Sequence, residues 1–402
     1  MDRNPALTVG LVLIVGGAVL IGLGWSDVGQ SWFSSEAGPT RTPEPIVPTS
    51  TPASSDSSEA EAGSDPATPW AAASGASGEE GLNPEIDAAE AFRGTLYHGR
   101  RRWGIGVDEG PITDYRVGPL RLGWYLDWTA REEPARPGGA DFAQMVRVKG
   151  GRLAHDADTI AAIAQENPGS LWLIGNEPDV RWQDNVEAAT YAQLYGRAYR
   201  IIKEADPTAR VAAGGVTQPT PLRLRYLDTV LEAYGEQFGE TMPVNVWNVH
   251  NFVLREERDS WGVGIPPGFS DEQGTLYEIE DGDDLALFRQ QIVDFRRWMA
   301  EHGYQNKPLI VSEYGILMPA EYGFPPGRVL AFLRGTFHFF LTARDESLGY
   351  PKDDFRLVQR WCWFSLDAAE DNYPTGRLFD PQTHEMTAVG RGWESLVAEY
   401  GP

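Results

Sequence analysis

The chain has 402 residues, with 34 Lys and Arg against 58 Asp and Glu, for a net charge of −24. That surplus of acid excludes a nucleic-acid partner held through its phosphates. With one cysteine, Cys362, no intrachain disulfide forms, and no Cys/His cluster has metal-ligand spacing, so neither a metal nor another cofactor is expected.

The first predicted element is hydrophobic. Ala6 to Trp25 is 20 residues long and carries no charge, the length of a bilayer-spanning helix. Gly22-Leu-Gly-Trp25 is a poor cleavage site. Residues 1–25 are therefore read as an uncleaved signal anchor, with a cleaved signal peptide as the alternative. Arg3 favours a cytoplasmic N-terminus, which places the rest of the chain outside a cell membrane that it crosses once. Residues 26–90 form an acidic Pro-, Ser- and Thr-rich stretch holding 12 acidic residues and one basic residue, Arg41. Such a segment buries too little apolar surface to order itself and reads as an extended, disordered linker.

From about residue 91 to 402 the composition becomes that of a folded domain. Eight apolar runs follow in order: Trp103–Val107, Leu120–Trp128, Ala143–Val148, Leu171–Glu177, Arg210–Val216, Val244–His250, Pro308–Glu313 and Gln359–Ser365. Helical periodicity fills most of the gaps. Between Thr190 and Ala205 it puts Tyr191, Leu194, Tyr195, Ala198 and Ile202 on one face. Between Asp284 and His302 it aligns Leu285, Phe288, Ile292, Phe295 and Met299. Helices are also expected over Asp156–Gln165, Leu222–Phe238, Pro326–Ala343 and Val389–Glu399. The gaps after the first two runs carry little helical pattern. Eight strands separated mainly by helices point to an α/β fold, a (β/α)8 TIM barrel. A doubly wound open sheet is the alternative, but no Gly-x-Gly-x-x-Gly or phosphate loop supports its nucleotide-binding form.

Two of these strands end in carboxylates. Leu171-Trp-Leu-Ile-Gly-Asn-Glu-Pro-Asp179 brings Glu177 to a strand tip, where Pro178 stops the ladder. Ile310-Val-Ser-Glu-Tyr-Gly315 does the same with Glu313. In a barrel of this kind both tips open on one mouth, the face that carries chemistry. Two facing carboxylates without metal ligands suit glycoside cleavage. A catalytic acid among them has to hold a proton, and burial beside Glu313 is expected to raise Glu177.

These motifs resemble those of the retaining (β/α)8 glycoside hydrolases of clan A, and more nearly the family 128 endo-β-1,3-glucanases. Trp124-Tyr-Leu-Asp-Trp128, Val249-His-Asn-Phe252 and Trp361-Cys-Trp-Phe-Ser365 resemble that family's aromatic strands. The resemblance runs over residues 100–366. It implies that Glu177 is the acid/base, Glu313 the nucleophile, and that Asn176 bonds the sugar 2-hydroxyl. It further implies His250 beside the nucleophile and Trp363 as a stacking floor, with Tyr125, Asp127 and Tyr314 as further substrate contacts. Leu126, Asp127, Arg147-Val-Lys149 and Asn251-Phe252 depart from the family pattern, so the sugar stays open.

The expected partner is a polysaccharide or oligosaccharide. The alternatives from other classes are a non-catalytic carbohydrate-binding or adhesion barrel and a transglycosylase of surface glycan. The long acidic connection from Val253 to Asp283, with Trp261, Phe269 and Tyr277, reads either as a lid over the mouth or as a solvated insertion.

Overall fold

In the computed structural model, residues 97–370 and 373–400 are described. The anchor expected at residues 1–25 and the linker expected at 26–90 lie outside them. Among the described residues no helix is long and apolar enough to cross a membrane.

Nine short strands carry the fold: β1 (Trp103–Gly106), β2 (Trp124–Leu126), β3 (Asp141–Phe142), β4 (Gln144–Val146), β5 (Leu171–Ile174), β6 (Arg210–Ala213), β7 (Trp247–His250), β8 (Leu309–Tyr314) and β9 (Arg360–Trp363). Every strand pairing is parallel. One sheet runs β3-β2-β1-β9-β8-β7 and the other β4-β5-β6. Parallel bridges Ala212–Val246 and Val216–Val249 join β6 to β7. On the other side β4 falls within the strand expected at Ala143–Val148 and β3 precedes it, while Ala143 N–H, between the two, donates to Tyr125 O at 2.9 Å. Nine segments thus occupy the eight positions of a parallel, TIM-barrel-like ring.

Six α-helices flank it: α1 (Ala157–Glu166), α2 (Ala188–Ala205), α3 (Pro221–Phe238), α4 (Leu285–Glu301), α5 (Pro326–Thr342) and α6 (Ala388–Glu399). Only 3-10 turns separate β1 from β2 and β2 from β3, where the sequence shows little helical period. The starts of α1, α4 and α6 are capped by side chains that accept orphan N–H groups. Asp156 takes Thr159 N–H at 2.8 Å, Asp284 takes Ala286 N–H at 2.6 Å, and Thr387 takes Gly390 N–H at 3.0 Å. The α2 face predicted from periodicity is buried. Between ring and helices, Trp361 stacks on Phe340 with centroids 5.2 Å apart, and Trp103 packs on Phe337 at 5.3 Å. Aromatic packing of this kind fixes the helices against the strands.

Candidate active site

The strand tips converge at the C-terminal mouth. After β5 the chain turns at Gly175, with φ of 85°, and again at Glu177, with φ of 42°. Side chains rarely adopt this left-handed region. A Cβ on Gly175 would also meet Tyr191 and Val148 at 3.1 Å. Glu177 N–H donates to Gly215 O at 3.0 Å, and the double turn brings the Glu177 carboxylate over the mouth. Gly215, just beyond β6, matters for a second reason. A Cβ there would lie 2.5 Å from His250 Cδ2, so only glycine leaves room for the imidazole.

His250 ends β7 fully buried. Its Nδ1 is 2.8 Å from Glu177 Oε1, and its Nε2 is 3.4 Å from Glu313 Oε1 without hydrogen-bond alignment. Glu313, on β8, is 7% exposed. Its Oε1 accepts the indole N–H of Trp128 at 2.6 Å. Trp128 itself has φ of 57°, which turns its ring inward past the end of β2. One carboxylate oxygen from each of Glu177 and Glu313 and one ring nitrogen of His250 lie within 4.8 Å of one another.

Burial favours neutral carboxyls. It pushes Glu313 upward; His250's charge opposes the rise, Glu177 adds to it, and the Trp128 hydrogen bond opposes it. Glu313 is thus a raised carboxyl at the mouth. Burial works against the charged form of His250, but the charge of Glu313 and the hydrogen bond and charge of Glu177 outweigh it, leaving His250 raised. The three groups are also the set among the described residues able to hold a metal ion. Metal–ligand distances near 2 Å would require the Glu177–His250 hydrogen bond to open.

The pocket around them is lined by Trp128, Asn176, Thr217, Phe252, Phe364 and Tyr373, with Leu254 and Val263 from the long acidic connection. Its free space is about 40 Å³, room for a few waters. Asn176 Nδ2 donates to Gln183 Oε1 at 3.3 Å, while its buried Oδ1 has no partner. Thr217 Oγ1 is likewise buried and unpaired. Both atoms accept hydrogen bonds and both residues border the pocket.

Four expected contacts are placed elsewhere. Tyr314 is fully buried and packs edge-on against Phe340 and Trp363, each at 5.2 Å, so it faces the helices. Trp363 shares that outer face and donates its indole N–H to Gly376 O at 2.7 Å; it is no floor for a sugar. Tyr125 donates its hydroxyl to Ala135 O at 2.6 Å and packs on Phe142. Asp127 accepts from Thr129 Oγ1 at 2.6 Å and pairs with Arg131, closing the turn after β2. Trp128 and Phe364 stand in the pocket in place of Tyr125 and Trp363. Strand alternation carries the signal for the eighth position: if Glu313 faces in, Tyr314 faces out, and so does Trp363, which pairs with it in register.

Behind the pocket lies a buried ionic network. Arg223 of α3 reaches Asp179 Oδ2 at 3.2 Å and Glu256 Oε1 at 3.0 Å, all three fully buried. Glu256 also accepts Thr220 Oγ1 and Thr275 N–H at 2.5 and 2.8 Å. Burial pushes Asp179 up to about 6, Arg223 opposing and Glu177 adding. The acidic connection is thus anchored rather than a solvated insertion. Phe269 in it packs on Tyr226 of α3, and Tyr277 accepts from Gln291 of α4 at 3.4 Å.

No family model matches the chain, and no curated protein does. Among solved structures it is similar to a GH128 (subgroup II) endo-β-1,3-glucanase from Pseudomonas viridiflava, at 16% identity over 74% of this chain and 98% of that one, with a TM-score of 0.50. A GH128 (subgroup II) endo-β-1,3-glucanase from Sorangium cellulosum matches at 18% identity over 73% and 98%, with a TM-score of 0.49. At these identities the likeness is one of fold.

Proposed function

We propose that the chain is a glycoside hydrolase that cleaves a β-linked glycan with retention. The observation that carries this reading is the pair of buried carboxylates, Glu177 and Glu313, with atoms within 4.8 Å across His250. Retaining enzymes hold their carboxyls about 5–5.5 Å apart, whereas inverting enzymes leave room for a water at about 6.5–9.5 Å. Glu313 attacks the anomeric carbon as the glycosidic bond breaks, and Glu177 gives its proton to the leaving oxygen. Glu177 then takes a proton from water, whose oxygen attacks the same carbon and releases Glu313 as carboxylate. His250, hydrogen-bonded to Glu177 and itself raised, is the proton reservoir for Glu177. Its positive charge and the Trp128 N–H favour the ionised form of Glu313. Asn176 Oδ1 and Thr217 Oγ1 accept from sugar hydroxyls.

The activity named for the fold neighbour from Pseudomonas viridiflava makes β-1,3-glucan the first substrate to try. In a glycan panel with the full chain, Glu177→Gln and Glu313→Gln should each lower turnover by at least roughly 10³-fold with circular dichroism unchanged. A 2-fluoro-glycoside should label Glu313, located by peptide mass. Full turnover by either variant, or labelling elsewhere, sinks the assignment; binding without turnover or labelling favours the carbohydrate-binding alternative. Residues 1–25 and 26–90 are proposed as the anchor and spacer that hold the barrel outside a cell membrane.

A further inference from the structure

At the end of the barrel opposite Glu177 and Glu313, the N-terminal ends of the strands enclose a second cavity, of about 240 Å³. Four arginines, Arg101, Arg136, Arg210 and Arg360, line it with two acids, Asp141 and Glu166. This is a local excess of positive charge in a chain of net charge −24.

The two inner arginines are held mainly by neutral acceptors. Arg360 is 1% exposed and lies over the Trp124 ring at 4.8 Å. It donates to Arg101 O at 3.0 Å and meets Asp141 Oδ2 at 3.3 Å. Arg210 Nε and Nη2 both donate to Gly169 O at 3.2 Å. Arg136 donates to Asn167 Oδ1 at 3.0 Å. Arg360 is pushed down to about 10, first by burial, with Asp141 opposing and the like charge of Arg210 adding. Among the described residues Asp141 is the carboxylate paired with Arg360, and no ion pair is formed by the neighbouring Arg210. A buried cation without a full counter-charge is costly.

We propose that this cavity binds a small tetrahedral oxyanion, of the inorganic phosphate or sulfate class, between Arg210 and Arg360. Guanidinium forks match the oxygen spacing of such anions, and charge-assisted bonds to them are the strong ones. Arg136 and Arg101, at the exposed rim, draw the anion in. The site is separate from the glycan-cleaving mouth and does not depend on that reading.

The test is calorimetric titration of the full chain with sodium phosphate and with sodium sulfate, against sodium chloride at equal ionic strength. Phosphate or sulfate should bind saturably at one site and raise the thermal midpoint, while chloride does neither. Arg210→Gln should weaken binding by roughly tenfold or more. Arg136→Gln, at the exposed rim, keeps the core intact and should weaken it by a smaller but measurable factor. Glu313→Gln should bind as the parent does. Equal effects of chloride, or unchanged affinity in Arg136→Gln and in any folded Arg210→Gln, would overturn the proposal. So would tighter binding to Glu313→Gln, because removing a negative charge favours an anion bound at that mouth.

Discussion

The short bond from the Trp128 indole to Glu313 Oε1, 2.6 Å, is the residue-scale contact with the largest chemical consequence. It favours the ionised carboxylate against burial, which raises Glu313. Trp128→Phe keeps the ring and removes the donor. Hydrogen bonds to charged groups contribute about 1.5–3 kcal/mol, so kcat/KM on the identified glycan should fall roughly 10- to 100-fold. Losing a bond to the charged form raises Glu313 further, so the acid limb of the pH–rate profile should move to higher pH; an unmoved limb refutes the assignment. Asp179 gives a stability counterpart. Its folded pKa, about 6, lies above the unfolded value of about 3.9, so the folded state binds the proton more tightly. The stabilisation is complete below about pH 4 and is lost as pH rises through about 6, about 3 kcal/mol in all. Asp179→Asn cannot titrate, so urea midpoints of the two proteins should diverge in the variant's favour from pH 4 to 7. Parallel curves would count against it.

At the scale of elements, the space beside His250 is set by the end of β6. Gly215→Ala puts a Cβ 2.5 Å from the ring, closer than real contacts, so the imidazole or the strand must shift. Turnover should drop by at least roughly tenfold while secondary structure is retained, because small misplacements of catalytic groups are costly; near-parent kinetics would mean the ring is not held where we describe it. Here the sequence was legible in a specific way. Helix faces such as Tyr191, Leu194 and Ile202 followed from period alone, and Glu177 and Glu313 stood out as charges ending apolar runs. The aromatic contacts did not follow. The β8 register shifts between Val311 and Tyr314, and Trp128 turns inward through a left-handed residue. Neither feature leaves a trace in composition, so Trp128 and Phe364 did not stand out as pocket residues, although strand alternation alone could have turned Trp363 outward. The separate β3 was equally silent, because Asp141–Phe142 is two residues long and one of them is charged.

For the whole molecule, charge is unevenly distributed. The acidic residues of 26–90 precede a barrel whose N-terminal end carries four arginines around a cavity and whose C-terminal mouth holds the carboxylates. If residues 1–25 anchor the chain, it should stay with the membrane pellet through alkaline carbonate washing, and a chain starting at residue 26 should be released. Release of the full chain by carbonate would remove the tether from the proposal.

Arg223 bears on any attempt to retool this barrel. The guanidinium joins Asp179, two residues beyond Glu177, to Glu256 in the connection between β7 and α4, with all three side chains out of water. Grafting a foreign β7–α4 connection to reshape the mouth, and leaving Glu256 behind, would leave the buried guanidinium with Asp179 as its remaining carboxylate, at a cost of several kcal/mol. The disturbance would reach the tip that carries Glu177. Transplants should therefore carry Glu256 and its Thr220 and Thr275 contacts as one cassette, or replace Arg223 with an apolar residue in the same step.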